Sequence, residues 1–110
     1  MKNISQEEIV QREIRKLEFF LREINAKYEV QNQEVRIYGE VMNSIFFNRE
    51  KWIGYDFSLQ FKIDEKTFLN LNFYKNSIEL NTCKNNQLLT KKIRNISYIF
   101  SEQNKLYIVF

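Results

Sequence analysis

The hydrophobic pattern of this 110-residue chain changes its period once, near residue 28. Before that point apolar residues recur at spacings of three and four, which is the period of one face of an α-helix. The members of this stripe are Val10, Ile14, Leu17, Leu21, Ile24 and Tyr28. After that point apolar and polar residues alternate, as they do in β-strands with one buried face. The pattern therefore predicts one helix followed by strands.

The start of the helix is marked by a capping box. In the motif Ser-Gln-Glu-Glu that begins at Ser5, the serine hydroxyl can accept a hydrogen bond from the backbone of Glu8. The helix is predicted to begin at Gln6. Because polar residues interrupt the stripe after Tyr28, it is predicted to end near Lys27 or Tyr28.

The strands are predicted from alternation and from the polar turns between them. Residues 53–63 alternate most regularly, and residues 35–47 predict a long strand that forms a hairpin with them. Further strands are predicted around residues 69–73, 78–80, 96–100 and 106–110. In the last hairpin the apolar positions are Ile96, Tyr98 and Phe100, followed by Leu106, Ile108 and Phe110. The segment 84–92 is mostly polar and basic, which predicts a loop or a single helical turn.

Together these elements predict one α+β domain over residues 1–110. One long N-terminal amphipathic helix packs on an antiparallel β-meander of about six strands, because the sheet needs a cover on its apolar face. The helix stripe also fits a coiled-coil seam, so a homodimer is the alternative use of that surface. The strand Leu106 to Phe110 has no charged side chain to protect an edge, so it either accepts a partner strand or lies inside the sheet.

The composition argues against catalysis. The chain has no histidine, no proline, one cysteine (Cys83) and two glycines (Gly39 and Gly54), so zinc, haem and phosphate-loop sites of ordinary composition cannot be built. Cys83 has no histidine to act as its base, and we interpret it as a half-buried structural residue. We therefore expect a protein that is not an enzyme and has no cofactor.

Four carboxylates on the polar phase of the strands are the remaining candidates for a magnesium site. They are Glu40, Asp56, Asp64 and Glu79. A solvated sheet surface is the simpler explanation for these carboxylates, so we expect no metal.

The location is predicted from segments that the chain lacks. It begins without an apolar signal run and has no stretch of about 18 apolar residues that could span a bilayer. A lone cysteine agrees with a reducing compartment. Asparagine, isoleucine and lysine make up 37 of the 110 residues, a bias typical of an AT-rich genome. These features predict a cytoplasmic protein that does not contact the membrane.

Large aromatic residues outside the predicted core favour protein binding. Phe19 lies nearly opposite the helix stripe, Phe46 and Phe68 fall on the outer phase of their strands, and Trp52 lies at the top of the long hairpin. Exposed rings of this kind are costly unless a partner covers them, and aromatic anchors dominate interface energies. Additional loops could also cover these four residues.

Nucleic-acid binding is the alternative. The net charge is +3, but residues 83–110 carry five basic residues and one acidic residue. The candidate contacts in the segment 84–94 are Lys84, Lys91, Lys92 and Arg94. Tyr38, Tyr74 and Tyr107 fall on the phase opposite the core, where their rings could stack on bases. A solvated basic loop would produce the same pattern.

The sequence thus favours a small, non-enzymatic, cytosolic protein that binds another macromolecule. We expect this partner to be a protein, as for inhibitors, immunity proteins and phage-encoded host modulators. The alternative is a nucleic-acid-binding module that uses the segment 84–94.

Overall fold

The computed structural model describes residues 5–46 and 57–110, and the side chains of 43–46 are not among those it describes. Within these residues one helix precedes nine strands. The elements are α1 (Gln6–Glu23), β1 (Tyr28–Gln31), β2 (Glu34–Tyr38), β3 (Glu40–Phe46), β4 (Phe57–Asp64), β5 (Thr67–Phe73), β6 (Ser77–Lys84), β7 (Gln87–Arg94), β8 (Tyr98–Glu102) and β9 (Lys105–Val109). The predicted α+β class is confirmed. The single meander of about six strands matches only roughly, because the strands form two antiparallel sheets.

Helix α1 begins where the capping box predicts. The backbone N–H of Glu8 donates to the Ser5 hydroxyl oxygen at 3.2 Å, and the first helical residue is Gln6. The stripe from Val10 to Ile24 is buried, which confirms the predicted packing face. This local start and this stripe together fix how the helix lies on the sheets.

The predicted end of the helix is wrong by about one turn, because α1 ends at Glu23. Asn25 takes a left-handed conformation (φ 58°), and the N–H of Ala26 donates to the carbonyl oxygen of Leu21 at 2.9 Å. This is a Schellman ending with asparagine in the position usually taken by glycine. Tyr28, the last member of the stripe, therefore begins β1 instead of closing the helix.

The four-stranded sheet has the order β1-β2-β9-β8. Its central strands β2 and β9 pair in register, with Val35 opposite Ile108 and Ile37 opposite Leu106. Because β9 pairs with β2 on one side and β8 on the other, the strand from Leu106 lies inside the sheet and is not an edge. One edge strand of this sheet is β8, and the other is β1.

The predicted long strand over residues 35–47 is wrong, since it is divided at Gly39 into β2 and β3, which belong to different sheets. Gly39 has φ 155°, and a Cβ atom there would overlap the carbonyl oxygen of Lys62 and the ring of Phe61. Only glycine allows so close an approach. The predicted pairing of this region with the next strand is nevertheless confirmed, because Phe46 lies opposite Phe57; the turn between them lies outside the described residues.

The five-stranded sheet is a meander in the order β3-β4-β5-β6-β7. The segment 84–92, predicted as a loop or helical turn, contributes most of β7, which pairs with β6 along its whole length. Asn85 and Asn86 both have positive φ (53° and 63°), as a two-residue hairpin turn with matching twist requires. The missed signal is this asparagine pair, which marks a tight turn between two strands.

One hydrophobic core joins the helix to both sheets. Its members come from α1, from β2 and β9 of the four-stranded sheet, and from β4 to β7 of the five-stranded sheet. Glu13 is buried beside this core, where its Oε1 accepts the backbone N–H of Arg94 at 2.6 Å and its Oε2 lies 2.7 Å from Nζ of Lys16. Glu13 thus attaches the helix to the edge strand β7.

Candidate interaction surfaces

The outer face of the four-stranded sheet carries three aromatic rings in contact, and we call it the aromatic face. Phe100 of β8 lies directly opposite Tyr107 of β9, and their ring centroids are 4.4 Å apart with planes inclined by 6°. Tyr98 also stacks with Phe100, with ring centroids 5.8 Å apart. Tyr98 is 54% exposed and Phe100 is 37% exposed. The rings are therefore ordered by one another while two of them face solvent.

The sequence pattern placed Tyr98 and Phe100 among the alternating apolar positions of the last hairpin, but the structure places both rings on the outer, exposed face. Ile99 is the half-buried residue of β8, opposite the buried Ile108. The reason is that Ile96 is not in the strand. Asn95 takes a left-handed conformation (φ 64°), which breaks the alternation before β8 begins. Because Tyr98, Ile99 and Phe100 are all apolar, alternation alone could not identify the buried phase.

Arg36 holds the next position across the aromatic face. Its guanidinium lies 5.5 Å from the centroid of Tyr107 and forms ion pairs with Glu34 at 2.8 Å and Glu29 at 3.4 Å. The hydrogen bond to Glu34 raises the pKa of Arg36. Desolvation opposes the change at Glu29, yet the hydrogen bond from Arg36 and the charge of Lys105 lower the pKa of Glu29. The ionised forms of Arg36 and Glu29 are therefore favoured.

Tyr38 lies between two cations on the same face. The Nζ atoms of Lys27 and Lys105 are each 4.9 Å from its ring centroid, and Lys105 also pairs with Glu29 at 3.6 Å. Desolvation lowers the pKa of Lys105, but its electrostatic interactions with Tyr38 and Glu29 raise it, and the pKa is raised on balance. The cations of the aromatic face thus already contact rings or carboxylates of the protein itself.

The exposed side of α1 forms a second surface around Phe19, which is 66% exposed as its phase predicts. Arg15 and Arg12 are exposed one and two turns before it, and the structure gives neither arginine an ion-pair partner among the described residues. Arg22, one turn after it, pairs with Glu18 at 3.7 Å. This surface combines one large apolar side chain with arginines before and after it on the helix.

The other predicted protein contacts do not join these surfaces. Phe68 of β5 is 39% exposed and lies opposite Lys62, on the outer face of the five-stranded sheet. Phe46 is the last residue of β3, and its side chain lies outside those described; Trp52 lies outside the described residues. The prediction for these two residues therefore stays a prediction.

The predicted nucleic-acid contacts are divided between the two faces of the five-stranded sheet. Lys91 lies opposite the buried Leu80, and Nζ of Lys84 donates to the carbonyl oxygen of Glu23 at the end of α1, at 2.8 Å. These two lysines therefore lie on the helix side. The other two, Lys92 and Arg94, lie on the outer side.

The outer pair has its own environment. Lys92 lies opposite Glu79, with its Nζ 5.1 Å from the ring centroid of Tyr74, and Arg94 lies opposite Ser77. A single phosphate-binding cluster of the predicted cations is thus not formed along one face.

The carboxylates considered for a metal are also separated. Asp64 accepts the backbone N–H of Lys66 at 2.8 Å, which is the main cause of its lowered pKa. Glu79 accepts from the amides of Asn72 and Asn81. Across residues 5–46 and 57–110, no group of three or more acidic, cysteine or histidine residues could hold a metal ion. Asp56 lies outside the described residues.

Two other features of the molecule are the position of Cys83 and a cleft between the sheets. Cys83, interpreted from the sequence as half-buried, is exposed, because it lies on the outer face of β6 opposite Leu88. A cleft of about 270 Å³ between the sheets is lined mainly by polar residues, including Glu40, Lys62 and Asn104.

Comparison with protein-family models, with characterised proteins and with solved structures gives no match for this chain. No helix in the described part of the chain combines the length and the apolar character needed to cross a membrane. Function is therefore inferred from the geometry of the surfaces.

Proposed function

We propose that this chain is a small, non-enzymatic, cytosolic protein that acts by binding another protein, of the kind represented by inhibitors, immunity proteins and phage-encoded host modulators. The observation that supports the proposal is the aromatic face. Tyr98 and Phe100 are exposed there and stacked in a row with Tyr107. Aromatic side chains of this kind are the commonest anchors of protein interfaces.

The rigidity of the row favours tight binding. Tyr107 is covered by Phe100 on one side and contacted by Arg36 on the other, and both rings belong to paired strands. A partner that covers these rings loses little side-chain entropy, because the rings are already ordered before binding. The surface around Phe19 is a second place where a partner could bury an exposed ring.

The charges of the aromatic face favour a protein over a nucleic acid. The cations Lys27, Arg36 and Lys105 share this side of the molecule with the acids Glu29, Glu34 and Glu102. Nucleic-acid binding gains most of its affinity from unbalanced cations that displace counterions from phosphates. A face whose charges balance offers little of that gain.

The test is a pull-down of the tagged protein from lysate of its native host, with and without nuclease, analysed by mass spectrometry. We expect one protein to be retained equally with and without nuclease. We expect it to be lost when Tyr98→Ser replaces the most exposed ring of the row. The matched control is Leu88→Ser, which removes an apolar side chain that is 73% exposed on the other sheet. Equal retention by the wild type and the Tyr98→Ser variant would refute the role of the aromatic face.

The surfaces predicted from the sequence are tested in the same format. Phe19→Ala and Trp52→Ala are expected to weaken binding with little loss of stability and little dependence on salt. Retention that disappears with nuclease would instead support the alternative, nucleic-acid binding. In that case Lys91→Glu with Lys92→Glu would abolish binding, and affinity would fall steeply with salt.

A further inference from the structure

The sheet order leaves β8 with one neighbour. Within the described residues it pairs with β9 only, and its other edge has no strand beside it. The direction of its backbone groups follows from the hairpin turn. Gln103 and Asn104 both have positive φ (50° and 60°), which makes Glu102 and Lys105 a hydrogen-bonded pair.

Hydrogen-bonded and non-hydrogen-bonded pairs alternate along an antiparallel ladder. Counting from the turn, Phe100 and Tyr98 direct their backbone groups toward β9, whereas Ile99 and Ser101 direct theirs away from it. The free edge of β8 therefore presents the N–H and C=O groups of Ile99 and Ser101 as a template for another strand.

Two other sheet edges, β7 and β1, are protected in ways that β8 is not. At the edge strand β7, the N–H of Arg94 is taken by Glu13, and the strand carries Lys91 and Lys92. Lysines and a covered backbone are typical protection against edge pairing. The opposite edge strand, β1, is four residues long and directly follows the end of the helix. In contrast, β8 has no basic residue and one acid, Glu102, at its end.

We propose that β8 pairs with β8 of a second copy of this chain, antiparallel about a two-fold axis at Phe100, and joins two four-stranded sheets into one. In this register Ile99 lies opposite Ser101 of the other copy, so every outward backbone group of the strand finds a partner. Registers centred on Ile99 or Ser101 leave part of these groups without one.

The side chains of this register are complementary. Phe100 meets its own copy on the outer face, which extends the row of rings from Tyr107 of one chain to Tyr107 of the other. Glu102 lies opposite Tyr98 of the other copy, whose hydroxyl can donate to the carboxylate, so no like charges face each other. A two-fold axis also closes the assembly, because each copy uses its only β8 edge.

The expected association is weak. A five-residue strand and two rings per copy cover less than the roughly 1,000 Å² that stable interfaces bury. The inference goes beyond the proposed function, since a partner protein could bind one copy or two.

Cysteine cross-linking tests the register. Two variants are made, one with Tyr98→Cys and the other with Glu102→Cys, and both also carry Cys83→Ser. Their tags differ in mass, and the two proteins are mixed and oxidised with glutathione disulfide. The mixture is expected to give the 98–102 disulfide dimer, because opposite residues in such a pair lie within disulfide reach. Each variant alone is expected to give little dimer. Cross-linking in the mixture no faster than in either variant alone would overturn the proposal.

Sedimentation equilibrium of the wild type and Ser101→Pro tests the edge without cross-links. Proline removes an N–H that β9 does not use, so the monomer fold is expected to persist while concentration-dependent dimerisation is lost. The proposal would be overturned if the wild type stayed monomeric up to roughly millimolar concentration, which is far above the dissociation constants of ordinary weak interfaces. Unchanged dimerisation of a folded Ser101→Pro variant would do so as well. Neither measurement involves the partner protein, so failure here is distinct from failure of the proposed function.

Discussion

Gly39→Ala gives opposite results for the two ways of folding residues 35–47. In a continuous strand, replacing an interior glycine stabilises the chain by about 0.5–1 kcal/mol, because alanine loses less entropy on folding. In the two-sheet structure, Gly39 is the point where the chain passes from β2 to β3. The sign of the change in the free energy of unfolding therefore distinguishes one sheet from two.

The magnitude follows from two contributions. The φ of 155° places Gly39 in a region that is strained for other residues by about 1–3 kcal/mol. The new methyl group would also overlap the Lys62 carbonyl oxygen and the ring of Phe61. Because Phe61 is fully buried, its ring cannot move into solvent, and overpacking of this kind costs about 1–3 kcal/mol. Together they predict a loss of about 2–6 kcal/mol.

Urea unfolding followed by circular dichroism measures this loss. We expect a lower midpoint for Gly39→Ala with an unchanged slope, and a melting temperature lower by roughly 8 °C or more. Asn70→Ala, at an exposed position in β5, is the control and is expected to change stability by less than about 0.5 kcal/mol. Equal or greater stability of Gly39→Ala would refute the two-sheet interpretation of this residue.

Three further predictions test other parts of the structure. Glu13→Ala removes the carboxylate that accepts the Arg94 N–H at 2.6 Å. We expect the free energy of unfolding to fall by about 2 kcal/mol and hydrogen exchange at the Arg94 amide to become faster. Unchanged exchange at that amide would contradict this prediction. Gln103→Asn places a residue that tolerates positive φ at a position where glutamine has φ 50°. The free energy of unfolding is therefore expected to rise by about 0.5 kcal/mol, and a lower urea midpoint would contradict the turn conformation assigned to residue 103. Desolvation raises the pKa of Glu29, but the hydrogen bond from Arg36 lowers it, and on balance the pKa in the folded protein lies below its ordinary 4.5. The stability that Glu29 contributes is therefore complete above pH 4.5 and is lost as the pH falls through the lower pKa of the folded protein. Glu29→Gln should flatten this acid dependence, and an NMR titration of Glu29 at or above 4.5 would disprove it.

The parts of the fold that were predictable are those in which one local signal acts alone. The Ser5 cap and the stripe on α1 identified the helix and its buried face, and the alternation of Phe57, Leu59 and Phe61 identified the centre of β4. In these segments most side chains that face the core are apolar and most of the others are polar. Tertiary structure then only confirms what the local pattern indicates.

The errors occur where a backbone conformation decides the outcome. Asn25 ends the helix, Asn85 and Asn86 create the hairpin of β6 and β7, and Asn95 reverses the phase of β8. In a chain with 13 asparagines, composition does not show which of them adopt positive φ. At Gly39 the reason for the glycine is a contact with β4, distant in sequence, so no local pattern could identify it.

The candidate surface was missed for the same reason. Tyr107 was correctly assigned to the outer phase, but Tyr98 and Phe100 were grouped with the alternating apolar positions of the last hairpin, so the row of rings could not be recognised. Their strand has apolar residues on both phases, and only its pairing with β9 decides which face solvent. The basic segment shows the reverse error. Neighbours in sequence such as Lys91 and Lys92 point to opposite faces once they belong to a strand.

The Ser101→Pro variant tests whether the proposed dimer is needed for the proposed partner binding. Ser101 lies opposite the buried Leu106, so its side chain is not on the aromatic face, yet its N–H belongs to the β8 edge. If the partner protein covers the row of rings from both copies, Ser101→Pro should weaken partner binding about as much as Tyr98→Ser, although every ring is intact. If one copy is sufficient, Ser101→Pro should abolish dimerisation and leave partner binding unchanged. Titrating both variants against the captured partner by calorimetry therefore determines whether the binding unit is one aromatic face or the continuous row of two.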